Sequence, residues 1–239
     1  MHYFGGKAKI SKYITEILNK ELKTEQPFID LFCGSCNIIS KIDSNRLRIA
    51  NDKHRYLIEM WKEVQNGWCP PSIVSLEEYK YVRENKDTNP ALTGFIGFGC
   101  SYSGKWFGGY ARDNKGRNYA DEAKRGIEKK SDNLHSVKFV NKDYKEVDIP
   151  IGSLVYCDIP YKGKTGYSNT EVGEFNHEEF YKWINDNKHK YDFYISEYKC
   201  NVPSGFEIVW EYKTHTDIRN KNGKTIDTIE VLIKPVINE

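Results

Sequence analysis

The chain has 239 residues with 36 Lys+Arg against 34 Asp+Glu, a net charge of only +2, so it is no polycation and is long enough for one large domain or a core with an insertion. Its six cysteines are scattered with a single close pair, which suits a reducing compartment better than a disulfide framework. No basic start leads into an apolar stretch and no apolar run approaches about 18 residues, so the expectation is a soluble, cytoplasmic protein without signal peptide or membrane span.

Tyr3-Phe4-Gly5-Gly6-Lys7 opens the chain, and Ile10, Tyr13, Ile14, Ile17, Leu18 and Leu22 follow at helical spacing. Paired glycines allow close backbone approach to a ligand, and Lys7 can reach an anion or a carboxylate; a Gly-rich turn before a surface helix explains the same residues. Pro27 to Phe32 reads as a short strand, with Asp30 and Phe32 at its end. Cys33-Gly34-Ser35-Cys36 makes a tight turn, and a helix is expected through Ile38, Ile39 and Ile42. A second strand, Leu47 to Asp52, ends in an acid 22 positions after Asp30. An acid at that place in a nucleotide-binding α/β sheet holds a ribose hydroxyl pair. G-x-G-x-x-G is absent, so an adenosine without a pyrophosphate fits better than a dinucleotide.

Cys33 and Cys36 also form a C-x-x-C after a strand, which is the pattern of a redox pair. Buried structural thiols are the plainer reading, and no second ligand pair is present for zinc.

From 53 to 137 the strand and helix rhythm breaks, as expected for an inserted subdomain. Its first part places Leu57, Met60, Trp61 and Val64 on one helical face, ended by Pro70-Pro71. Its later part, Phe95 to Arg112, is rich in glycine and aromatics and reads as a flexible frame. Between Ser101 and Ser131 stand eight Lys/Arg and four acids, a local +4 in a chain of net +2. Basic residues interleaved with aromatics suit phosphate tracking and base contact, so Lys105, Arg112, Lys115 and Arg117 are the expected nucleic-acid contacts. A solvated helix face accounts for Lys124 to Lys130 nearly as well.

The α/β rhythm resumes with strands expected at Val137 to Tyr144, Ser153 to Cys157 and Tyr191 to Glu197, the last two separated by a helix using Phe180, Trp183 and Ile184. Phe206 to Lys213 and Thr228 to Lys234 form a closing hairpin around the polar turn Asn220 to Lys224. The whole is read as α/β, a largely parallel sheet with helical crossovers and an antiparallel C-terminal hairpin.

Directly after the apolar strand Ser153 to Cys157 comes Asp158-Ile159-Pro160-Tyr161. An exocyclic amine delocalises its lone pair into the ring that carries it, so it is a poor nucleophile until two acceptors on its N–H groups draw it out of plane. Asp158 offers a carboxylate oxygen, Ile159 a backbone carbonyl and Tyr161 a stacking face. Pro160 biases residue 159 toward an extended backbone and so helps aim that carbonyl. Because residue 159 acts through its backbone, Ile is admissible there. The plain alternative is a strand ending in a Pro-containing turn, with Tyr161 packed on the core.

The order Phe4-Gly5-Gly6-Lys7, Asp30 to Ser35, Asn51-Asp52, basic insertion, Asp143-Tyr144 and Asp158 to Tyr161 resembles the Dam-type DNA adenine methyltransferases of the alpha arrangement. That resemblance implies a Rossmann-like methyltransferase sheet formed by 1–52 and 138–239, with a target-recognition subdomain at 53–137. It implies S-adenosylmethionine as cofactor, no metal, and transfer to the N6 amine of an adenine flipped out of double-stranded DNA. Asp30, Phe32, Gly34 and Ser35 would line the cofactor loop and Asp52 would hold its ribose. Tyr144 would flank its adenine beside Asp143, and Tyr3 and Lys7 would close the pocket. Asp158, the Ile159 carbonyl, Pro160 and Tyr161 would hold the target base, with Asp158 also at the cofactor. It further implies a monomer, and allows a restriction endonuclease acting on the same site as a partner.

Two positions depart from the family pattern: Cys36 stands where the cofactor motif has its final glycine, and Ile159 where the catalytic motif has its first proline. They keep open a catalytically weakened relative that binds DNA, alongside the thiol-redox reading. Methylation of an RNA base or a protein glutamine is a nearer alternative, which the basic insertion argues against.

Overall fold

A computed structural model describes residues 6–161, 173–219 and 225–237, with the side chains of 215–219 and 225–227 excepted. Tyr3 and the turn at 220–224 lie outside the described residues. Seven strands form one sheet in the order β3-β2-β1-β4-β5-β7-β6. The parallel part comprises β1 (Phe28–Asp30), β2 (Arg48–Asn51), β3 (Val137–Val140), β4 (Leu154–Cys157) and β5 (Asp192–Tyr198). The antiparallel edge is β6 (Phe206–Arg219) with β7 (Thr225–Pro235).

Every residue of the central strands β1, β2 and β4 is buried, and the polar side chains of β2 are answered inside: Arg48 donates to the Ile39 and Ile42 carbonyls and Asn51 to the Leu31 carbonyl. One apolar layer joins α1 (Ser11–Glu21), Phe28 and Tyr156 to residues of the insertion such as Trp61 and Trp106. The other lies between Ile29, Val155, Phe193 and the helix α6 (His177–Asn187). The sheet and the insertion thus share one continuous core on the first of these faces.

The insertion carries α2 (Arg55–Gln65), α3 (Leu76–Glu84), α4 (Pro90–Gly94) and α5 (Tyr119–Ser131). Ser75, Asn89, Asn118 and Asn176 begin α3, α4, α5 and α6 by accepting a backbone N–H of the first turn, as N-cap side chains do.

Three expectations are corrected. The helix expected through Ile38, Ile39 and Ile42 is a single 3-10 turn, Ile39–Lys41. Gly34 at φ 44° and Cys36 at φ 55° turn the backbone out of the helical region, and Ser40 Oγ donates to the Cys36 carbonyl at 2.6 Å. The crossover from β3 to β4 likewise holds a 3-10 turn, Tyr144–Glu146, so only β4 to β5 among the parallel connections outside the insertion crosses over by an α-helix. The Gly-aromatic stretch is no flexible frame. Phe95–Gly99 is a buried π-helical turn, and a Cβ on Gly97 would stand 2.2 Å from the Trp106 ring, so glycine there lets the two pack.

Candidate active site

The chain leaves β1 for β2 on one side and returns through β4 on the other, so the strand order reverses at the β1/β4 boundary. A crevice opens at such a reversal, beyond the carboxyl ends of the strands. Here it is a cleft of about 280 Å³, reached by the ends of β1, β2 and β4.

Asp30 ends β1 and Asp52 follows β2, and both line this cleft. Asp52 accepts the Gly34 N–H on Oδ2 at 2.9 Å and the His54 N–H on Oδ1 at 2.8 Å, which ties the turn after β1 to the end of β2. Burial pushes the Asp52 carboxyl up to about 6, and the two N–H donors work against that shift. Asp30 is held well above the ordinary carboxyl range by burial, then by the neighbouring charges of Asp158 and Asp52. Among the described residues Asp30 Oδ1 has no hydrogen-bond partner.

Gly34 and Ser35 line the cleft in the tight turn that follows β1. The Gly34 carbonyl accepts from Trp61 Nε1 at 2.9 Å, and the Ser35 carbonyl accepts from Lys130 Nζ. Phe32, Tyr144 and Phe175 stand 5.7 to 6.1 Å apart between ring centres and make one apolar wall. The Tyr144 hydroxyl is without a partner among the described residues. Asp143 lines the same wall, begins the Tyr144–Glu146 turn and pairs with Lys53 at 3.1 Å. An aromatic wall, a carboxylate able to accept from hydroxyls and an unpartnered buried carboxyl oxygen fit the adenosine and amino-acid halves of S-adenosylmethionine.

Asp158 follows β4 and reaches the same cleft with its side chain one-fifth exposed. Lys7 Nζ lies 2.7 Å from Asp158 Oδ1, 3.6 Å from Glu230 Oε2 and 4.3 Å from the centre of the Tyr161 ring. Burial raises the Asp158 carboxyl above its ordinary value, the Lys7 charge and hydrogen bond oppose the rise, and Glu230 adds to it. The Tyr161 hydroxyl donates to Glu230 Oε2 at 3.3 Å, and its ring packs edge-on against Tyr198 at 4.4 Å. Ile159 is buried in the second core layer, so its side chain serves packing and leaves its backbone for other work. Pro160 lines the cleft, and its carbonyl accepts from His177 Nε2 at 2.7 Å.

Of the expected nucleic-acid residues, Lys105 is exposed and lines the cleft. Arg112 and Lys115 are exposed in the turn that follows Tyr110. Arg117 forks onto Glu122 with contacts of 2.7 and 2.8 Å, so part of its charge is already answered. Arg125 pairs with Asp121 and Lys124 with Glu128, as the solvated-face reading of α5 expects; Lys130 departs from it by turning onto the Ser35 carbonyl in the turn after β1.

Residues 3–91 match the D12 class N6 adenine-specific DNA methyltransferase family. The match covers the opening glycines, the turn after β1 and Asp52, and bears out the Dam-type resemblance read from the motifs over that stretch. It supports an S-adenosylmethionine-dependent methyltransferase. Solved structures similar to this chain include a conserved hypothetical protein of Streptococcus pyogenes, 9% identical over 95% of each chain, with a TM-score of 0.39. Another is a precorrin-6y C5,15-methyltransferase of Geobacter metallireducens, 9% identical over 94% of this chain and 87% of that one, TM-score 0.37. A tRNA methyltransferase of Aquifex aeolicus is 11% identical over 95% and 68%, TM-score 0.34.

The redox reading fares poorly beside this. Cys33 and Cys36 are both buried free thiols, and burial pushes Cys33 well above the ordinary thiol value, away from the thiolate a redox pair needs. Sequence reasoning missed Glu230, His177, Trp61 and Lys130. A lone acid within the apolar run Ile229 to Ile233 was the available signal for Glu230. The others reach the site from elements whose placement no local pattern reveals.

Proposed function

We propose that this chain transfers the methyl group of S-adenosylmethionine to the N6 amine of an adenine flipped out of double-stranded DNA. The observation that carries the reading is the convergence of Asp158 with Asp52, Asp30 and the Phe32/Tyr144 wall in one cleft. Asp52 would accept from the cofactor's ribose hydroxyls, with Phe32 and Tyr144 flanking its adenine. Bound there, S-adenosylmethionine supplies a methyl group activated on a sulfonium.

The chain's own residues then have to present the amine. Asp158 Oδ accepts one N–H of the target and the Ile159 carbonyl accepts the other, which draws the amine out of the ring plane and restores its lone pair. Tyr161 offers its ring face to the base. Lys7 covers both Asp158 and that face here, so it shifts when the base enters, and Glu230 at 3.6 Å is the acceptor that receives it. Most of the rate gain comes from holding nucleophile and methyl in line. The insertion meets the duplex through Lys105, Arg112 and Lys115, with Arg117 a lesser contact, and the chain acts as a monomer; the resemblance also allows a restriction endonuclease acting on the same site.

The test is transfer of labelled methyl to unmethylated genomic DNA, with modified nucleosides identified after digestion. N6-methyladenine formed by the wild type and abolished in Asp158→Ala supports the proposal. Label recovered in RNA or protein alone would refute it. A second reading, a weakened relative that binds DNA, is favoured by Cys36 holding a left-handed backbone at φ 55° in the cofactor loop. Normal DNA and cofactor affinity without any transfer would select it.

A further inference from the structure

The turn after β1 lacks the helix that ordinarily steadies such a loop, since only the 3-10 turn Ile39–Lys41 follows it. Its carbonyls therefore need donors from elsewhere. Two come from the insertion. Trp61 Nε1 on α2 donates to the Gly34 carbonyl at 2.9 Å, and Lys130 Nζ at the end of α5 donates to the Ser35 carbonyl. The Lys130 ammonium also lies 5.8 Å over the Trp61 ring, so the two donors support one another. On the opposite side the Gly34 N–H is held by Asp52 and the Cys33 N–H by the Asn51 carbonyl at 2.8 Å.

We propose that Lys130 is a positioning residue for the cofactor loop, bracing the Ser35 carbonyl so that Gly34 and Ser35 keep the path that a bound cofactor requires. The inference rests on the cofactor reading given above. It assigns the insertion a task besides nucleic-acid contact. Its helix α5 carries the half-exposed pairs Arg125–Asp121 and Lys124–Glu128 on its outer side and the brace on its inner one.

The brace is sensitive to pH. Burial brings the Lys130 ammonium down to about 8, with Cys36 acting to raise it and Lys41, across the 3-10 turn, to lower it. Above that value the donor is a neutral amine, and a hydrogen bond without charge assistance is roughly half as strong.

The experiment measures amide-exchange protection of residues 33–37 in the free protein and calorimetric affinity for S-adenosylhomocysteine, for wild type, Lys130→Met and Lys130→Arg. The expected result is about tenfold loss of loop protection and about tenfold weaker affinity in Lys130→Met, with Lys130→Arg close to wild type. Wild-type affinity should also fall about threefold more than that of Lys130→Met between pH 7 and pH 9. Unchanged protection and affinity in Lys130→Met would overturn the proposal. Should that variant not fold, flat wild-type protection and affinity from pH 7 to pH 9 overturns it instead. Lost loop protection in Lys130→Met, with no ligand binding by the wild type, would uphold the brace and refute the cofactor reading.

Discussion

Lys7 Nζ stands 2.7 Å from Asp158 Oδ1, so the carboxylate proposed to accept from the target amine is already answered by a buried ammonium. The pair opposes the upward push of burial on Asp158. Removing the cation therefore raises the Asp158 carboxyl, and the ionised form is reached only at higher pH. Lys7→Met is expected to move the acidic limb of kcat/KM upward in pH, losing more activity at pH 6 than at pH 8. A profile displaced equally at all pH values would show that Lys7 acts otherwise.

Asp158 and Ile159 are asked to work through different atoms. Asp158→Ala removes an acceptor from the reacting amine and should lower kcat by about a hundredfold to a thousandfold, with cofactor affinity little changed. Ile159→Pro keeps the carbonyl but loses a buried side chain, so it should lower stability by about 1 to 2 kcal/mol while kcat stays within a few-fold. Single-turnover rates and thermal melts separate the two effects.

Asp52 carries its own pH signature. Burial lifts its carboxyl to about 6, above the unfolded value of about 3.8, so ionising it in the folded chain costs stability. That cost is absent below pH 4, grows as pH rises and is complete above about 6. A ribose donating to the carboxylate offsets it. Affinity for S-adenosylhomocysteine should then fall as pH drops below about 6, and Asp52→Asn should bind weakly with a flat profile in that window.

Cys36 is buried with a left-handed backbone, where a side chain costs about 1 to 2 kcal/mol. Cys36→Gly removes that cost and a small buried group together, so its melting temperature should stay near wild type with cofactor affinity kept or improved. Cys36→Val adds a β-branch at the same φ and should lose about 2 kcal/mol or more. A Val variant as stable as the Gly variant would contradict the strain argument.

Lys105, Arg112 and Lys115 are exposed on the insertion, whereas Arg117 is forked onto Glu122. Each phosphate contact contributes about 0.9 to the slope of log affinity against log salt. The triple Ala variant should shallow that slope by about 2 to 3 on duplex DNA, and Arg117→Ala by less than 1.

Much of this was legible in the residue order. The strands expected at Pro27 to Phe32, Leu47 to Asp52 and Ser153 to Cys157 are β1, β2 and β4, each lying within the expected span. The acids that end or follow them, Asp30, Asp52 and Asp158, were legible as candidate site residues, and all three line one cleft. The hairpin edge was legible too, although β6 and β7 run further than their apolar alternation suggested.

The sequence by itself determined the central strands and the carboxylates beside them, since each rests on neighbours within a few residues, and the family resemblance, which rests on the order of short motifs along the chain. Tertiary structure alone decided that Lys7 answers Asp158, that Glu230 waits beside both Lys7 and Tyr161, and that Trp61 and Lys130 hold the loop carbonyls. These contacts join residues separated by long stretches of chain, and their geometry depends on how the sheet order reverses between β1 and β4. The missing helix after Cys36 belongs to the same class. Its apolar spacing is real, but two left-handed residues and outside donors to the loop carbonyls outweigh local propensity.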